Sequence, residues 1–96
     1  YEAIATVNLD LCGRPYIAWN TPLDGGKIGD FDAELAEEFF HGFVNNAGAT
    51  LHVNVPYGVN RHHIVEAVFK AFGRALNQAT RVDDRVVGVL STKGSL

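Results

Sequence analysis

The stretch N-R-H-H-I-V-E-A-V-F-K-A-F-G-R-A-L, Asn60 to Leu76, reads as one helix with two opposed faces. At about 100° per residue, His62, His63, Glu66, Lys70 and Arg74 fall in one arc. Ile64, Val65, Val68, Phe69, Ala71, Phe72, Ala75 and Leu76 fall in the other. Such a helix turns one side to a core and the other to a ligand. Asn60 is a good N-cap, so the histidines occupy the first turn, where the exposed backbone N–H groups favour anions.

Working outward from this helix gives the rest of the plan. Before it, Thr50 to Val55 alternates Leu51, Val53 and Val55 against Thr50, His52 and Asn54, a strand that Pro56 is expected to end. Before that strand, a helix is expected from about Asp32 to Asn46, with Leu35, Ala36, Phe39, Phe40, Phe43 and Val44 as its apolar arc and Glu34, Glu37, Glu38 and His41 as its polar one. A loop from Thr21 to Gly29 leads into it. At the start, Ala3 to Leu11 alternates as a half-buried strand does. Cys12-Gly13-Arg14-Pro15 breaks that pattern, and Tyr16 to Trp19 reads as the returning strand of a hairpin. After the histidine helix, Arg81 to Arg85 is turn-like and Val86 to Leu90 reads as a short strand. The order predicts an α+β fold, a two-layer sandwich with a roughly four-stranded, mostly antiparallel sheet and both helices on one face.

Spacing turns the polar arc into chemistry. Residues three and four apart are neighbours on a helix, so Glu66 can share a metal ion with either His62 or His63. Adjacent histidines point about 100° apart, which suggests two ions, or one ion here and another at a subunit boundary. Imidazole with carboxylate suits Mn, Fe, Ni or Zn, and more oxygen favours Mn or Mg. Thiolate ligation is excluded, because Cys12 is the only cysteine. Lys70 extends the arc toward Arg74, either as an i,i+4 partner of Glu66 or as part of a cationic track for a phosphorylated substrate. On pattern alone Glu34 and Glu38 read as a solvated acidic face near a helix start, and His52 as a structural strand residue.

Composition bounds the rest. The 96 residues, 47% of them hydrophobic, suffice for one domain, residues 1–96, with one core. A net charge of -3 without a basic run argues against nucleic acid as main partner. No apolar run reaches the roughly 18 residues of a membrane span, and a lone cysteine fits a reducing compartment. The chain begins at Tyr1 and holds no methionine, which reads as a piece of something longer. No Walker loop, dinucleotide-binding glycine turn or G-x-S-x-G elbow occurs.

Five blocks together carry a resemblance: L-C-G-R-P-Y at 11–16, G-D-F-D-A-E-L-A-E-E-F-F at 29–40, N-N-A-G-A-T-L-H-V at 45–53, H-H-I-V-E-A-V-F-K-A-F-G-R-A-L at 62–76 and S-T-K-G-S-L at 91–96. In this order they resemble imidazoleglycerol-phosphate dehydratase of histidine biosynthesis. The resemblance implies a protein of two similar halves, of which this chain is the second, each bringing one H-H-x-x-E helix to a dimanganese site between subunits. It further implies a homo-oligomeric shell of 24 subunits, a cytoplasmic location, or a plastid one if the parent carried a transit peptide, and a small phosphorylated imidazole as substrate. His62, His63 and Glu66 match its metal-binding helix. Glu38 stands where many members carry a histidine ligand. Arg14, Lys70, Ser91, Thr92 and Lys93 match positions that hold the substrate phosphate. Cys12 replaces a common serine, and His41 a longer polar or basic residue.

The function so implied is a manganese-dependent hydro-lyase that makes imidazoleacetol phosphate from imidazoleglycerol phosphate. Two Mn2+ ions would stabilise the substrate's imidazolate, and Glu66 is the candidate for proton transfer; the fragment alone is expected to be inactive. Two rivals are a stand-alone metal- or phosphate-binding module without catalysis, and a structural domain whose histidines merely begin a helix.

Overall fold

In the computed structural model, which describes residues 3–23, 27–28, 31–32 and 34–81, the alternating start of the chain is a strand, β1 (Ile4–Asp10). Ala5, Val7 and Leu9 are partly buried against the core, and Thr6, Asn8 and Asp10 are exposed. Next come β2 (Tyr16–Asn20), two short strands β3 (Lys27–Ile28) and β4 (Phe31–Asp32), α1 (Glu34–Ala47), β5 (Thr50–Tyr57) and α2 (Arg61–Thr80). The α+β sandwich is as expected: both helices and one face of the main sheet share a single apolar core. The expected strand from Val86 to Leu90 and the Ser91-Thr92-Lys93 tail lie outside the described residues.

The strand order differs from the simplest reading. Tyr16 to Trp19 does not return along β1 as a hairpin. β5 lies between the two, antiparallel to β1 with Leu9 opposite Leu51, and parallel to β2 with Ile17 opposite Leu51. The described sheet is therefore mixed, and β2, α1 and β5 form the crossover that parallel neighbours require. The cause is burial. Leu51 and Val53 are completely buried, and they reach that state only with a strand on each flank and helices above. The turn after β1 is held to this arrangement, since the Gly13 N–H donates to the Gly48 carbonyl at 2.7 Å and the Tyr16 N–H to that of Ala49 at 3.1 Å.

Helix α1 starts at Glu34, two residues later than expected, because Phe31 and Asp32 pair with Ile28 and Lys27. Its end is a Schellman motif: Gly48 is left-handed at φ 64° and the Ala49 N–H reaches the Val44 carbonyl at 3.1 Å. Any side chain there would sit 3.2 Å from the Gly13 Cα, so the close approach of the two turns needs glycine. Pro56 falls inside β5 instead of ending it. Helix α2 begins as expected, with the Asn60 side chain accepting from the His63 N–H at 3.1 Å, and runs on to Thr80. Between the helices Phe40, fully buried, packs against Phe69 and Phe72 with ring centroids 5.0 Å away in each case.

Candidate functional site

Because Ile64, Val68 and Phe72 take the core side of α2, the opposite arc is presented to solvent. There Glu66 stands between a histidine and a lysine. His62 Nε2 lies 3.5 Å from one carboxylate oxygen and Lys70 Nζ lies 3.3 Å from the other. His62 and His63 diverge, with ring centroids 5.9 Å apart and planes at 58°. His63 lines a cleft of about 230 Å³ together with Glu66, Lys70 and Arg74, and His62 stands outside it. The cleft's other wall is Ala3, Ile4 and Ala5, with Ala67 and Ala71 beneath. That wall was not read from the sequence; the small residues at 3 and 5 on one strand face were its only signal.

The donor set fits a metal ion in part. Metal bonds to nitrogen or oxygen are near 2 Å, so the His62–Glu66 spacing of 3.5 Å can be bridged by one ion. No group of three His, Cys, Asp or Glu side chains converges on a metal position among the described residues. A metal held here takes its remaining ligands from elsewhere. Glu38 is not brought to the α2 pair. It lines a separate groove with Phe39, Gly42, Phe43, Asn46 and Ala47.

The proposed phosphate contacts are likewise dispersed. Lys70 borders the cleft beside Ala3 to Ala5, while Arg14 lies in the turn that follows β1, whose end at Asp10 is roughly 17 Å from Ala5 at about 3.3 Å per strand residue. Its turn is tied to β5 by Thr50 Oγ1, which donates to the Arg14 carbonyl at 2.8 Å. Ser91, Thr92 and Lys93 lie outside the described residues. His52 is on the exposed face of β5, its ring 5.9 Å from that of Tyr16, in keeping with a structural role. Cys12 has a lowered thiol pKa, first because Thr50 hydrogen bonds to it and then because of a backbone hydrogen bond at Arg14.

The family model of imidazoleglycerol-phosphate dehydratase matches residues 1–76, both helix faces included. This chain belongs to that family. The imidazoleglycerol-phosphate dehydratases of Citrifermentans bemidjiense and Geobacter sulfurreducens are 61% and 59% identical to it over 95 residues, 99% of this chain and 49% of each relative. The Staphylococcus aureus enzyme structure aligns with TM-score 0.82 at 48% identity, over 85% of this chain and 48% of that one. The Pyrococcus furiosus structure, in complex with (S)-C348, aligns with TM-score 0.84 at 38% identity, over 99% and 52%. The chain thus spans about half the length of the family members it matches.

Proposed function

We propose that this chain is the second of two similar halves of a manganese-dependent imidazoleglycerol-phosphate dehydratase, a hydro-lyase of histidine biosynthesis whose product is imidazoleacetol phosphate. The observation that carries the reading is the row His62–Glu66–Lys70, set beside a cleft in a chain of this family. His62, His63 and Glu66 hold metal, with Glu38 as a further ligand from another part of the assembly. Two bound Mn2+ ions supply Lewis-acid stabilisation of negative charge on the substrate's imidazole ring. Lys70 binds the substrate phosphate from the cleft edge, as do Arg14, Ser91, Thr92 and Lys93. Glu66 is the candidate to carry a proton from the carbon that loses it toward the departing hydroxyl, which leaves as water. The divergence of His62 from His63 and the distance of Arg14 from Lys70 support active sites completed between subunits, as in a 24-subunit shell.

The test is reconstitution. The chain is co-produced with the complementary first half of the Geobacter sulfurreducens relative, and manganese binding is followed by electron paramagnetic resonance alongside dehydratase activity. Saturable manganese and activity are expected, and Glu66→Ala should remove both. A co-purifying pair that binds no manganese, or a Glu66→Ala pair that keeps metal and activity, would refute the reading.

A further inference from the structure

Among the described residues two cationic side chains line the cleft beside β1, and only Lys70 has a place in the reaction proposed above. Lys70 is shared. Its ammonium lies 3.3 Å from one oxygen of Glu66, whose other oxygen faces His62 at 3.5 Å. Within the cleft the charges of Lys70 and Glu66 offset each other. Arg74 differs: it lines the same cleft one turn further along α2, and among the described residues it makes no hydrogen bond or ion pair. With the histidines neutral, the surplus positive charge of the cleft belongs to the Arg74 guanidinium.

The helix sets the spacing of what such a cleft can hold. At about 1.5 Å of rise per residue, Lys70 is roughly 6 Å and Arg74 roughly 12 Å along the axis from Glu66. Beneath them Ala67 and Ala71 offer neither charge nor a hydrogen-bonding side chain. A molecule lying there meets imidazole and carboxylate at one end, and ammonium and guanidinium at the other. The volume of about 230 Å³ is below the roughly 300–1,000 Å³ of pockets that enclose drug-sized ligands, so it suits one small molecule with its anionic group at the Lys70–Arg74 end.

Of the common anions, a phosphoryl group gains most from this pair. It carries roughly two negative charges near neutral pH, more than a lysine already shared with Glu66 can balance. A guanidinium meets two of its oxygens with parallel hydrogen bonds, a geometry an ammonium lacks. We propose that Arg74 is a specificity-determining residue of the cleft, binding the phosphoryl group of the ligand beside Lys70 and supplying the attraction that does not require Glu66 to release its lysine. This rests on the reading that the cleft takes the phosphorylated substrate.

The reconstituted pair of halves, carrying Arg74→Gln or Arg74→Lys, tests it in two ways. In manganese-loaded pairs, Arg74→Gln should raise KM, and the inhibition constant of inorganic phosphate, about tenfold, the scale of one lost charge-assisted hydrogen bond. The kcat should stay within about twofold and the manganese resonance unchanged, with Arg74→Lys recovering only part of the loss. In manganese-free pairs, phosphorus NMR titration with inorganic phosphate needs no turnover and should show the same weakening. Arg81→Gln removes an equal charge at the end of α2, away from the cleft, and should leave both constants as they were. Unchanged phosphate affinity in Arg74→Gln overturns the proposal, as does an equal loss in Arg81→Gln, which would mean general attraction only. A pair that binds phosphate through Arg74 yet has no dehydratase activity refutes the proposed reaction and upholds the role of Arg74.

Discussion

At the residue scale, two positions outside the His62–Glu66–Lys70 row give direct tests of the packing and hydrogen bonding. Cys12 is one. Thr50, whose hydroxyl can turn its proton from the Arg14 carbonyl to the sulfur 3.3 Å away, and then the backbone at Arg14 favour its thiolate, so its pKa lies below the ordinary thiol value. Its alkylation rate should therefore rise at lower pH than that of free cysteine, and Thr50→Val should move the profile back up; an unshifted profile would contradict the hydrogen bond. Gly58 is another. Its φ is 155°, and an added Cβ would lie 2.9 Å from Ile64 Cγ1 and 3.0 Å from the Ala3 Cβ. Both neighbours are buried and cannot move aside. Gly58→Ala should cost on the order of 1–3 kcal/mol by overpacking, read as a lower urea midpoint at unchanged slope.

At the scale of elements, helix α2 depends on its first residue. The Asn60 side chain satisfies the His63 N–H, and Asn60→Ala should cost about 1 kcal/mol. The loss should appear in thermal denaturation, and Asn60→Asp should restore most of it. Elements of this kind were legible in the sequence because their determinants are local. Period and cap sit within a few residues of one another, so Asn60 and the Ala5–Val7–Leu9 alternation could be read directly. The pairing of β2 could not. The turn at Cys12 to Pro15 points to a hairpin, and only the burial of Leu51 and Val53, some forty positions away, decides for a strand between. The candidate site divides in the same way. The His62–Glu66–Lys70 row follows from helical spacing, whereas the Ala3–Ala5 wall of the cleft and the separation of Glu38 from the α2 pair depend on how distant segments pack.

At the scale of the whole molecule, the chain is one layer of helices on one layer of sheet, with chemically capable residues distributed over its surfaces and not drawn into one pocket. Lys70 serves the cleft beside β1, Glu38 the groove over α1, and Arg14 the far end of the sheet. Such dispersal fits the proposed completion of the sites between subunits, in a chain about half the length of the family members it matches. The central place of β5 also sets a timetable. Strands β1 and β2 are both complete by Asn20, yet among the described residues each finds its partner only in residues 50–57. Closing a loop of about forty residues costs roughly 3 kcal/mol in chain entropy before any contact compensates. Because both of these pairings join segments distant in sequence, topology weighs against fast folding of the sheet, whereas the helices form from local contacts.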